Sequence, residues 1–218
     1  MKIPKKKNIF KLITVFVLSL LIILVIVLYS FPKGIFVDRV LREKNIHLIA
    51  SKVEETPLKI ITENTKLFFK NRELGSFEKI TAEFKPFSLY LKAVCKKGFL
   101  ETVINLTGTI NLQAENFSCL SDVKYLSGKL KINEGIKGNI VLKNINIKNF
   151  NAEKVELKFV GKEFRGKITY AGADFTGNGR FKLNKYNPLE TEVNASFKGS
   201  LGNVSLSGKL QSLRIQIR

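Results

Sequence analysis

The chain has 218 residues, with 37 basic and 18 acidic side chains, one histidine and two cysteines, and a net charge of +19. A single histidine, His47, excludes a histidine-cluster metal site, and two cysteines 24 positions apart do not make a zinc motif. There is no G-x-S-x-G elbow, no Walker loop and no dinucleotide-binding glycine fingerprint, so the expectation is a non-enzymatic protein with no cofactor and no metal.

Residues 1–11 carry Lys2, Lys5, Lys6, Lys7 and Lys11 and no acid, and residues 12–31 carry no charge at all. About 20 apolar residues at helical rise match a bilayer core of about 30 Å, and an isolated spanning segment must be helical to pair its backbone. The basic flank stays cytoplasmic, so 12–31 is expected to be a single-pass anchor in the inner membrane, with everything after it in the periplasm. A cleaved signal peptide has a shorter apolar region and a small-x-small cleavage site. Here the run leads into Tyr29-Ser30-Phe31-Pro32-Lys33, which offers no such site and no lipoprotein cysteine, so an uncleaved anchor is expected.

Pro32-Lys33-Gly34 then breaks the apolar helix. Residues 35–44 place Phe36, Val37, Val40 and Leu41 on one side at helical spacing, predicting a short amphipathic helix that lies at the membrane surface or covers one end of a sheet.

From residue 46 to 218 the apolar period becomes two, which predicts a β-rich domain. Phe87, Leu89 and Leu91 alternate with polar residues, and 102–114 places Ile104, Leu106, Gly108, Ile110, Leu112 and Ala114 on one face, as one strand or a hairpin broken at Gly108. Val155, Leu157 and Phe159 continue the pattern, followed by Ile168, Phe181, Phe197, Val204 and Ile215. Turns are expected at Gly161-Lys162, Ala171 to Asp174, Asn178-Gly179, Asn187-Pro188 and Gly199 to Gly202. The apolar phase shifts between Leu142 and Ile145, predicting a bulge or tight turn near Lys143-Asn144. The fold class expected is therefore mainly β: the transmembrane helix, the short helix, and an antiparallel sheet that is curled or sandwich-like.

Cys95 and Cys119 both fall in the periplasmic part, where disulfides persist, so they are a disulfide pair or two free thiols. Phe159, Phe175, Phe181 and Phe197 either fill a closed core or line an open groove, since both alternate identically. Five lysines precede the anchor, so +14 of the net +19 lies beyond it. That excess suits anionic headgroups or an acidic partner, and the compartment argues against nucleic acid.

The layout resembles a known family. A basic N-terminus, one anchor and the stretch Tyr29-Ser30-Phe31-Pro32-x-Gly34 to Val40-Leu41 lead into glycine-punctuated strands such as Gly138-Asn139-Ile140-Val141-Leu142 and Gly177-Asn178-Gly179-Arg180-Phe181. This resembles the type II secretion system protein N family and the wider AsmA-like group, whose sheets curl into a hydrophobic gutter. The resemblance implies an accessory of the secretion platform that docks other secretion subunits through a sheet edge or face. The alternative it implies is a lipid or lipopolysaccharide carrier, similar in layout to the lipopolysaccharide export C protein. A sheet of about ten strands at about 4.8 Å each would span about 50 Å.

Overall fold

The computed structural model describes residues 18–20, 22–23, 33–43, 45–147, 150–184 and 190–217. The expected anchor at 12–31 falls largely outside them; Leu18 to Leu20 and Ile22-Ile23 are helical. Among the described residues no helix is long and apolar enough to cross a membrane.

The first complete element is α1 (Lys33–Glu43), two residues ahead of the stretch expected from the apolar spacing. Val37 and Leu41 are half-buried, as the amphipathic reading requires. The Gly34 N–H, at the amino end of α1, donates to the Glu55 carboxylate at 3.0 Å. That contact places a negative charge at the positive end of the helix dipole. α1 packs along β1 (Ile46–Ile49) and β2 (Lys52–Thr56), and both of these strands pair with β3 (Lys59–Phe69).

All the strands belong to one sheet of 15 in which, from β3 onward, each strand pairs antiparallel with the next. They are β4 (Arg72–Lys85), β5 (Ser88–Cys95), β6 (Gly98–Asn105), β7 (Ile110–Phe117), β8 (Val123–Ile132), β9 (Ile136–Ile147) and β10 (Phe150–Gly161). Then come β11 (Glu163–Tyr170), β12 (Ala173–Lys182), β13 (Glu192–Gly199), β14 (Gly202–Lys209), the short 3₁₀ turn Leu210–Ser212, and β15 (Arg214–Ile217). The sheet is open, with β15 at one edge and β1 and β2 at the other. The expected antiparallel sheet is thus one open sheet, with no second sheet packed on it among the described residues.

One segment leaves the meander. β4 is longer than β5, which pairs only with Lys79 to Lys85. The exposed start of β4 is covered by the β7–β8 connection, where Gly75 bridges Leu120 and the Ser76 N–H donates to the Cys119 carbonyl at 3.0 Å. Cys119 is joined to Cys95 as a disulfide, with Cα atoms 5.6 Å apart, and Arg72 pairs with Asp122 at 2.7 Å. A Cβ on Gly75 would stand 2.4 Å from the Cys119 oxygen, so only glycine allows this approach.

Three asparagines mark where the inward-facing side chains change phase. Asn64, Asn116 and Asn144 have φ of +47°, +45° and +52° within β3, β7 and β9. Beyond them the buried series steps from Thr62 to Thr65, from Ala114 to Phe117, and from Leu142 to Ile145. At Asn116 an extra residue is accommodated, since the pairing with β8 shifts there. At Asn144 the expected bulge is absent: Lys143 and Ile145 keep the same register with β10 and with β8. A left-handed residue turns the following side chain to the opposite face without an insertion, and asparagine tolerates that conformation better than most side chains. Asn144→Val should therefore destabilise the domain by about 1–3 kcal/mol, because a β-branched residue is strained there. Urea titration with Asn144→Gly as a nearly neutral control checks this.

Candidate functional site: the apolar face of the sheet

Cross-strand register determines which residues share a face. One row runs Ile60, Ala82, Leu91, Thr102, Leu112, Leu130, Gly138, Phe159, Phe164, Gly179, Ala195, Leu206 and Ile215. The adjacent row includes Ile80, Ala93, Leu100, Ala114, Ile140, Leu157 and Phe197. A third, towards one end of the strands, is Phe84, Leu89, Ile104, Ile110, Ile132 and Ile136. Together they form one apolar surface that crosses the sheet from β3 to β15, broken only by small or hydroxyl side chains.

The opposite face is mainly polar, carrying Lys129, Lys143, Glu156, Arg165, Thr176, Asn178 and Ser196 at the alternate positions, with Tyr90, Phe99, Val103 and Val141 among them. Cross-strand ion pairs connect it, among them Lys92–Glu101 at 2.6 Å and Arg180–Glu163 at 2.9 Å. The Lys92 hydrogen bond holds the Glu101 carboxyl below its ordinary range, and the same bond raises Lys92. Its contribution is complete above the unfolded carboxylate pKa and fades as pH falls through the lowered value. Three shallow, open concavities of about 440, 480 and 440 Å³ lie on this face between β6 and β11, lined by residues such as Lys129, Lys143 and Lys158.

The apolar face has two regimes. Over β10 to β15 it is a packed core: Phe175, Phe197 and Val204 are 0% exposed, and Phe164, Ile168 and Phe181 are buried beside them. Glycines make the room. Phe164 Cζ lies 2.4 Å from where a Cβ on Gly179 would be, Phe175 Cδ1 2.7 Å from that of Gly199, and Phe197 Cε1 3.5 Å from that of Gly166. Gly177-Asn178-Gly179 is therefore no turn, as the sequence suggested, but the middle of β12, with both glycines on the inner face opposite Phe197 and Phe164. Phe159 joins the same cluster, 5.6 Å from Phe164 and 6.0 Å from Phe181 between ring centres.

Of the four phenylalanines assigned to core or groove, all thus lie in or against the packed part. A smaller buried cluster, Phe77, Phe117, Ala114 and the two cysteines, closes the corner under the β7–β8 connection. Outside these two clusters, on β5 to β9, Leu89, Leu91, Ile104, Ile110, Leu112, Leu130, Ile132 and Ile140 are only half-buried. Sequence reasoning saw the alternation in these strands but singled out the C-terminal phenylalanines. The signal that separates the two is ring size, with phenylalanine and glycine paired in the packed half and leucine and isoleucine in the open half.

His47 is half-buried on β1, opposite Phe68. Among the described residues no group of three or more potential metal ligands comes together. The Asn187-Pro188 turn expected from the sequence lies outside the described residues.

No protein-family model matches the chain, and no solved structure matches it. The chain is 31% identical over 218 residues to a protein of Aquifex aeolicus (strain VF5) described as an uncharacterized protein, a match that spans 98% of this chain and all of the relative. The chain belongs to the same family as that Aquifex aeolicus protein.

Proposed function

We propose that this chain is a membrane-anchored, non-enzymatic carrier that holds lipid acyl chains against the apolar face of its open sheet on the periplasmic side of the inner membrane. The observation that carries the reading is the half-buried stretch of leucine and isoleucine on β5 to β9, continuous across the strands and outside both packed clusters. Monomeric proteins rarely leave a contiguous apolar area of this kind without a partner for it. Leucine and isoleucine present only weak dispersion contacts and no hydrogen bonds, which suits chains that must bind and slide. Fourteen strands follow one another along the sheet, about 60 Å at about 4.8 Å per spacing, so an acyl chain has a path several times its own width.

A photo-crosslinking amino acid in place of Leu112 or Leu130 should capture lipid in intact cells, and the same group at Gln113 or Lys129, on the polar face, should not. Equal capture on both faces, or none at Leu112 and Leu130, would sink the carrier reading. A Leu112→Asp change should abolish capture at Leu130, because a buried carboxylate is costly beside an acyl chain.

A second reading, an accessory of the type II secretion platform, is favoured by one feature: among the described residues β15 pairs only with β14 and leaves its other edge unpaired. An unpaired edge is a template for strand addition by a protein partner. Crosslinks from Gln216 to secretion-platform subunits, with secretion lost in a deletion strain, are the expected results of that reading. Intact secretion would exclude it.

A further inference from the structure

The two ends of the strands are chemically different. At one end lie the turns at 57–58, 86–87, 106–109 and 133–135 and the short connection at 162. Here Leu58, Phe87 and Leu106 are 60%, 76% and 78% exposed, and the side chain of Phe84 is exposed beside them. Backbone bonds hold these residues together: the Phe84 N–H donates to the Leu58 carbonyl at 2.7 Å, and the Leu106 N–H to the Phe87 carbonyl at 3.0 Å. Behind this apolar rim stand exposed lysines, Lys85, Lys131, Lys137, Lys158 and Lys162. At the other end the turns are Lys70-Asn71, Lys96-Lys97, Ala171-Gly172 and Ser200-Leu201, where Leu201 is the large apolar residue exposed among those described.

The chain also enters the domain at the apolar rim. Gly34 is bonded to Glu55, and Glu55 lies opposite Ile60 at the base of the turn that carries Leu58. The charge-free run ends at position 31, two residues before Lys33, and two residues reach about 7 Å at most. An apolar run that enters a bilayer therefore brings this rim, and not the opposite end of the strands, to the bilayer surface.

We propose that the rim of Leu58, Phe84, Phe87 and Leu106 seats in the headgroup–acyl boundary of the membrane that the N-terminal run enters, with the flanking lysines against anionic headgroups. Apolar side chains with basic neighbours bind such a boundary by partial burial plus headgroup attraction. The third apolar row, from Phe84 through Leu89 and Ile104 to Ile110, begins at this rim, so the contact would open the apolar face directly to the leaflet. The inference rests on the anchored half of the proposed function and not on lipid carriage.

The chain contains no tryptophan, so a single introduced one reports on its own position. Full-length Phe87→Trp, Leu106→Trp and Leu201→Trp proteins would be reconstituted into vesicles of phosphatidylcholine and phosphatidylglycerol, with or without brominated acyl chains. Trp at 87 and 106 should be quenched at least about twofold by the brominated lipid and shift to shorter emission wavelength, while Trp at 201 should be unaffected. Quenching at 87 no greater than at 201, or a full-length protein that does not join the vesicles, would overturn the proposal. Lipid capture at Leu112 together with an aqueous Trp at 87 removes the rim contact and leaves the carrier standing. A quenched Trp at 87 without capture at Leu112 does the reverse.

Discussion

Phe197→Ala is expected to cost about 3–5 kcal/mol. The side chain is 0% exposed, sits opposite both Gly177 and Val204, and reaches to within 3.5 Å of the space above Gly166. Its removal leaves a cavity that the surrounding residues fill poorly, because Gly166 and Gly177 have no side chains to move into it. Leu112→Ala, on the half-buried part of the same face, should cost clearly less, since water already reaches that surface. Urea titrations of the two variants compare them directly. A Phe197→Ala cost no larger than that of Leu112→Ala would mean that the face is not divided into packed and open parts. Each strand pairs only with its sheet neighbours, as in repeat proteins, so damage at β13 should loosen β10 to β15 before the corner under the disulfide. Hydrogen exchange should show that order.

Reduction of Cys95–Cys119, or Cys95→Ala with Cys119→Ala, is expected to cost about 3–4 kcal/mol from loop closure alone. The bond spans 24 positions, and it holds the β7–β8 connection over the start of β4. Without it the Gly75–Leu120 bridge and the Ser76 and Ser121 backbone bonds rely on the small Phe77–Phe117 cluster and the exposed Arg72–Asp122 pair to keep them in place. Exposed ion pairs contribute little, so Arg72→Ala should cost less than about 1 kcal/mol while the disulfide is intact. Thermal unfolding with and without reductant reads the first number, and the same measurement on Arg72→Ala reads the second. Equal midpoints with and without reductant would show that the connection docks on β4 unaided.

The strands were legible because their period of two is a local property of the chain. Val155, Leu157 and Phe159 share a face in any sheet, whatever lies above them. The hairpin broken at Gly108 was legible for the same reason, and its glycine adopts φ +77° between β6 and β7. Leu106 was placed on the wrong side of that break: it continues the alternation in sequence, yet it lies in the turn and faces solvent. Phe87 repeats the case one hairpin earlier. Gly177-Asn178-Gly179 was misread because glycine and asparagine are the residues of tight turns and also the residues that leave room for a facing ring. Only the partner strands distinguish the two, and Phe164 and Phe197 lie on those strands.

By itself the sequence determined the β class, the charge-free run ahead of it, the absence of common catalytic motifs, and the amphipathic character of α1. These depend on composition and on spacing within a few residues. The tertiary structure alone decided that the sheet stays open, that Phe164, Phe175 and Phe197 pack over glycines in its C-terminal part, and that leucine and isoleucine remain half-buried on β5 to β9. It also placed Leu58, Phe84, Phe87 and Leu106 together at the end where α1 begins. The physical reason is that alternation assigns each residue to a face, whereas the cover over that face is made by residues on strands distant in the sequence. That cover depends on long-range register, on left-handed asparagines such as Asn144, and on glycines whose missing side chains are noticed only by residues distant in the chain.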